Sequence, residues 1–180
     1  MTSVPPSPTA PEALPGDVVI GPDGRPRALV RSTDLKRKPF PELAQYADRL
    51  GVPNEPGLGT PELIHRIELA MLRQKDVLVT EGVLDIEKGG HGFIRCQDWN
   101  FAPSPDDVYV SSAQQRRFGL RQGDWLRGTV RPPRQWEKYL ALLRLEEVNG
   151  AEPQVTPVRA EFETLPVKYP DERLRLEYPG

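Results

Sequence analysis

Lys88-Gly89-Gly90-His91-Gly92-Phe93-Ile94-Arg95 is the stretch on which the reading of the chain turns. Lys88 to Gly90 reads as a turn and His91 to Arg95 as a short strand, along which side chains alternate between faces. Ile94 is therefore directed to a core, while His91, Phe93 and Arg95 share the opposite face. Two rings and a guanidinium in a row, with glycines that let a ligand approach the backbone, form a layout on which nucleic-acid bases stack. A Phe within a β run also serves as core, and this stretch alone leaves both uses open.

Upstream, Val77 to Ile86 alternates as a first strand, with Gly82 as a bulge or bend. Downstream, Asp106-Asp107-Val108-Tyr109-Val110 is a third strand, with Val108 and Val110 inward and Asp107 and Tyr109 outward. Ser111 or Ser112 caps a short helix that runs to Phe118 and stops at Gly119. Asp124 to Val130 is a fourth strand, broken by Pro132-Pro133, and Tyr139 to Val148 a fifth. Five short strands with a helix between the third and fourth predict an OB-fold over residues 76–150, a small barrel that commonly binds oligonucleotides.

Before the barrel, residues 39–75 predict a small helical subdomain. Pro41 opens one helix as a first-turn proline, Leu43, Tyr46, Ala47 and Leu50 form its apolar stripe, and Gly51 ends it. Thr60 is the expected N-cap of a second, with Leu63, Ile64, Ile67, Ala70 and Met71 as its stripe and His65 off the stripe at the surface. A further turn is placed near Ser32 to Leu35. Residues 1–38 are proline-rich without a sustained apolar period, which predicts a disordered tail with a brief turn at Pro22-Asp23-Gly24. Residues 151–180, again proline-rich, read as an extended connector.

Composition narrows the function classes. With 37% apolar and 28% charged residues the chain reads as soluble, and its apolar runs are too short to span a membrane, so the expected location is the cytoplasm. One cysteine, Cys96, excludes an internal disulfide; with His65 and His91 as the only histidines there is no metal site to propose, and no cofactor is expected. No phosphate loop, nucleophile elbow or zinc-protease motif occurs, so no enzyme is read here. A net charge of −2 argues against a strongly basic nucleic-acid binder, but Val110 to Leu145 holds eight Arg and Lys against Asp124 and Glu137. That segment can face phosphates or simply be a solvated surface.

The outward residues suit one base in particular. Cytosine offers two acceptors and an amino donor on its pairing edge; Arg95 supplies donors and Asp107 an acceptor, which fits cytosine better than uracil. Phe93 and Tyr109 would stack on bases, each worth about 1–3 kcal/mol. Glu137 and Tyr139, two residues apart before the last strand, can wall a second pocket, although Tyr139 fits equally as a core aromatic, and Trp136 reads as an exposed loop tip.

Several runs carry a resemblance: Gly82-Val83-Leu84-Asp85, Gly92-Phe93-Ile94-Arg95, Pro105-Asp106-Asp107-Val108-Tyr109-Val110-Ser111, Gln115-Arg116-Arg117-Phe118 and Arg131-Pro132-Pro133, then Glu137-Lys138-Tyr139 with Ala141-Leu142-Leu143. In this order and spacing they resemble the N-terminal RNA-binding part of the bacterial transcription termination factor Rho family. Phe162-Glu163 with Leu165, and Arg173-Leu174 with Leu176, resemble that family's connector to its motor. The resemblance implies capture of C-rich, unstructured single-stranded RNA by a cold-shock-like OB-fold. Phe93, Arg95, Asp107, Tyr109, Glu137 and Tyr139 would form the base pockets, and His91, Lys138 and Arg131 complete the RNA-binding set. His91 stands where the family usually has Phe.

The 180 residues end before any ATPase domain, so the expectation is a non-catalytic, monomeric RNA-capture module that serves a motor carried elsewhere. The alternative is a stand-alone truncated paralogue that competes for RNA or binds full-length Rho or the RNA polymerase complex. A third reading, duplex DNA binding by the helical pair, rests on Lys36, Arg37 and Lys38.

Overall fold

The computed structural model describes residues 18–21, 24–55, 57–154, 160 and 164–171. Two strands open it, β1 (Val18–Ile20) and β2 (Pro26–Arg31), followed by three helices, α1 (Ser32–Lys36), α2 (Phe40–Arg49) and α3 (Thr60–Arg73). Then come β3 (Val77–Ile86), β4 (Gly92–Arg95), a 3-10 turn (Gln97–Trp99), β5 (Val108–Val110), α4 (Ser112–Arg117), β6 (Trp125–Arg131) and β7 (Leu140–Val148).

Strands β3 to β7 close on themselves in the order β3-β4-β5-β7-β6, with β6 returning to β3, which is the five-stranded OB barrel expected from the strand count. Register explains its core. Leu84 lies opposite Ile94, Ile94 opposite Val108 and Val108 opposite Leu140, and all four are buried. Directly paired residues share a face, so this row fills the barrel while the row one residue along turns outward.

Gly82 marks the point where β3 passes from pairing with β6 to pairing with β4. It carries no bulge, but a Cβ there would collide with the Arg95 carbonyl oxygen, so glycine permits the close crossing. The register shifts lie between β6 and β7.

The helical stripes behave as their spacing predicts: Leu43 and Ala47 of α2 and Leu63, Ile64, Ile67 and Met71 of α3 are buried in a cluster continuous with the barrel core. Ser111 caps α4 through a capping box with Gln114, and the turn placed near Ser32 is α1.

Three expectations change. Residues 18–21 and 24–38 are not a tail: β1 and β2 form an antiparallel pair, and β2 adds in parallel to β3 through Leu29, Val30 and Arg31. Pro26 sits at the first strand position, where a missing N–H is tolerated, and pairing with β3 supplies an order that no local period announces. Gly59, not Thr60, occupies the N-cap of α3. His65 is half-buried with Nδ1 sealed from solvent, and burial pushes its imidazole below the ordinary value. Residues 1–17, Pro22 and Asp23 of the expected turn, and Phe162, Glu163 and Arg173 to Leu176 of the connector lie outside the described residues.

A buried polar junction joins helices and barrel. Lys36 of α1 places its ammonium 2.7 Å from Asp106, which also accepts from the Trp99 indole N–H at 3.0 Å and from the Ser104 hydroxyl. Burial drives the Lys36 amine down and the Asp106 carboxyl up, but their mutual attraction prevails and both stay charged. Glu68 of α3 faces the same site, accepting from the Ser32 hydroxyl at one oxygen and without a partner at the other. Burial pushes Glu68 up to about 7 from an ordinary 4.5, against the pull of Lys36.

Between those values the folded chain holds a proton that the unfolded chain has released, so stability falls as the pH rises from about 4.5 to about 7. The full span is worth roughly 3 kcal/mol at 1.36 kcal/mol per pKa unit. Glu68→Gln should flatten this slope in denaturant unfolding followed across that range and leave the variant more stable than the native chain at neutral pH. An unchanged slope would mean that Glu68 is ionised throughout.

Candidate nucleic-acid interface

The outward row is built by the same registers that build the core. Asp85 pairs with Phe93 and Phe93 with Tyr109, so three neighbouring strands set a carboxylate and two rings side by side. Four rings form a continuous chain. His91 lies 6.1 Å from Tyr109, Tyr109 5.9 Å from Phe93, and Phe93 5.1 Å from Tyr139, the last two pairs edge-on. All fall within the range of attractive aromatic pairs. Phe93 is buried as the floor of the cluster, Tyr109 and Tyr139 are half-buried at its sides, and His91 is exposed at one end.

Arg95 lies beneath, its guanidinium 5.0 Å from the Phe93 ring centroid. It is not the solvent-facing side chain that strand alternation suggests. Arg95 is 4% exposed and Asp107 2%, and the two are ion-paired to each other. The rest of the guanidinium fork reaches Asp85 at 3.1 Å and Glu87 at 3.0 Å. Asp107 also accepts from the Ser104 N–H at 2.7 Å. Burial pushes the Asp107 carboxyl above its ordinary value, against the pull of that N–H and of Arg95. A Gln122 side-chain hydrogen bond, with Arg95 adding to it, holds Asp85 below its own.

Asp85 and Glu87 are the residues that sequence reasoning missed. The available signal was their spacing: on β3 and just beyond it they fall two apart, on the face that carries Phe93.

The remaining expected residues form a second group at the β6–β7 loop. Glu137 is gripped by both terminal nitrogens of Arg131, at 2.6 and 2.9 Å, and accepts from the Arg134 N–H at 2.9 Å. Its carboxylate therefore pins the loop. Lys138 sets its ammonium 5.3 Å from the Tyr139 ring centroid, which links this basic loop to the ring cluster.

The basic segment as a whole is not one surface: Arg127 is matched at 3.2 Å by Glu147, just beyond that segment, whereas Arg116 and Arg117 are exposed on α4. Of the cations considered for duplex DNA, Lys36 is engaged within the fold, and Arg37 and Lys38 form surface ion pairs. Lys36 is buried on Asp106, Arg37 lies 3.8 Å from Asp98 and Lys38 3.0 Å from Glu42. Among the described residues no group of three metal-ligating side chains occurs, and no helix is long and apolar enough to cross a membrane.

The Arg131 hydrogen bonds bring the Glu137 carboxyl down to about 2 from 4.5, so the loop clasp is present above the ordinary value and lost as the pH falls through the lowered one. Carboxyl-carbon NMR should place the Glu137 titration near 2, and Arg131→Ala should return it toward 4.5. A Glu137 that titrates alike in both proteins would remove Arg131 as the cause.

Comparison with known proteins covers the same part of the chain. The family model described as Rho termination factor, RNA-binding domain, matches residues 80–154. Transcription termination factor Rho of Aquifex aeolicus is 42% identical over 147 residues, covering 81% of this chain and 34% of that protein. The Rho proteins of Pseudomonas aeruginosa and Escherichia coli are 36% and 37% identical over 145 residues, each covering 81% of this chain and 35% of the relative. The chain thus spans about a third of the length of the curated relatives it matches. The matched segment holds the ring cluster, the Arg95–Asp107 pair and the Glu137 loop together, and over residues 80–154 the chain carries the RNA-binding domain of the Rho termination factor family.

Proposed function

We propose that the outer face of the barrel binds single-stranded RNA, preferring C-rich unstructured transcripts, as the capture step of Rho-type transcription termination. The observation that supports this most is the four-ring chain whose Phe93 packs 5.0 Å from the guanidinium of the buried Arg95–Asp107 pair. Bases stack on the accessible sides of Tyr109 and Tyr139 with Phe93 as floor, and their edges point to Arg95 and Asp107.

Arg95 is released toward a base from its outer partners. Asp85 and Glu87 have side chains 38% and 51% exposed, so their ion pairs are weakly held and yield to an incoming acceptor, while buried Asp107 stays in place. Cytosine then gives its two acceptors to the guanidinium and its amino group to Asp107. Uracil would set an acceptor oxygen against a carboxylate. Exposed Arg134 and Lys138 serve the phosphates, while Arg131, held on Glu137, keeps the loop in place. Capture involves no bond-making, and any motor acts after it.

A second reading is a regulator that competes for RNA or joins full-length Rho or the RNA polymerase complex. The exposure of Leu165, Val167 and Tyr169 after the barrel favours a protein contact there.

Fluorescence anisotropy of labelled oligo(C), oligo(U) and oligo(A) at one fixed salt concentration tests the first reading. Native protein should prefer oligo(C). Arg95→Ala would strand a buried carboxylate, so Arg95→Lys is the informative variant: it keeps the charge, loses the fork, and should reduce the C-over-U preference by about five-fold or more. Arg134→Ala should weaken all three alike. Equal binding of C and U by the native chain would sink the edge-reading mechanism, and capture of full-length Rho without RNA would favour the second reading.

A further inference from the structure

Trp136 is 92% exposed, the most exposed of the large apolar side chains among the described residues. It projects from the β6–β7 loop, and that loop is fixed. The Glu137 N–H donates to the Arg134 carbonyl at 3.0 Å, closing a four-residue turn with Trp136 at its third position. The Glu137 carboxylate returns to the Arg134 N–H at 2.9 Å and is clamped by Arg131. An indole held in water on a turn locked by four hydrogen bonds is already paid for in backbone entropy. Three residues on, Tyr139 joins the ring cluster, so the two Cα atoms lie at most about 11 Å apart. Exposed Arg134 and Lys138 flank the indole with positive charge.

We infer that Trp136 is an additional stacking platform for the same RNA strand, taking a base next to those held by the ring cluster and lengthening the site beyond it. The chemistry of this surface selects the occupant. A flat apolar face beside two cations and a line of rings suits a base with its phosphates, and stacking on an indole needs no particular base identity. This contact adds affinity without adding preference for C. The inference rests on the RNA-binding reading above, and its test separates the two.

The test is binding of the native chain, Trp136→Ala and Trp136→Phe to a ladder of labelled oligo(C) from the dinucleotide upward, at one salt concentration. Trp136→Ala should match the native chain on the shortest oligomers, which fill only the ring cluster. On longer ones it should bind about five-fold or more weakly, the effect of losing one stacked base. Trp136→Phe should recover most of that affinity. RNA should quench the tryptophan emission of the native chain, and Trp136→Phe, which keeps Trp99 and Trp125, should lose most of the quench. Equal binding of all three proteins at every length, with Phe93→Ala still defective, would overturn the inference and leave RNA binding standing. No binding of any length by the native chain would overturn both.

Discussion

Asp106 and Asp107 set the constraint on which the molecule depends. They are adjacent in the chain in the turn that leads into β5, closed by the Asp107 N–H on the Ser104 carbonyl at 3.2 Å, and their two carboxylates serve different partners. Asp106 turns toward the helices and takes Lys36, Trp99 and Ser104; Asp107 turns to the outer face and takes Arg95 and the Ser104 N–H. Ser104 bonds to both. One short segment therefore anchors the helical subdomain and positions the guanidinium under the rings. Removing one partner from either pair would leave a buried charge uncompensated, at about 3–5 kcal/mol. The helices are part of how the outer face is held, although none of their side chains belongs to it.

What could be read from the sequence divides along physical lines. Strand identity, helix stripes and the inward row were legible because they follow local periods of 2 and 3.6, and Leu84, Ile94, Val108 and Leu140 obey them. The aromatic and charged positions of the outer face were legible for the same reason, as the complement of that row. Long-range pairing was not. Nothing within Pro26–Arg31 announces a strand, because its order comes from lying beside β3 forty-eight residues later in register. The burial of Arg95 was hidden too, since alternation gives the side of the sheet but not what covers it, and here Asp85, Glu87, Asp107 and the Phe93 ring surround the guanidinium. Glu68 reads as a charged residue beside the apolar stripe of α3; only the approach of α1 makes it a buried acid.

Net charge misleads for a related reason. At −2 the chain has no general attraction for phosphates, and three carboxylates crowd the guanidinium below the rings. On the proposed reading, binding on this face would draw on flat contact and edge hydrogen bonds, with a few cations at one side. Stacking of about 1–3 kcal/mol per base reaches useful affinity with few phosphate contacts. The negative surroundings then act against ligands that offer only charge: a duplex, whose bases are already stacked and whose edges are paired, brings phosphates to a surface that does not seek them. On the proposed reading, discrimination for unpaired RNA follows from this balance. Unpaired bases supply the interactions that such a face rewards, and the ion pairs of Arg95 with Asp85 and Glu87 mean that a base must offer both acceptors and a donor before displacing those carboxylates is offset.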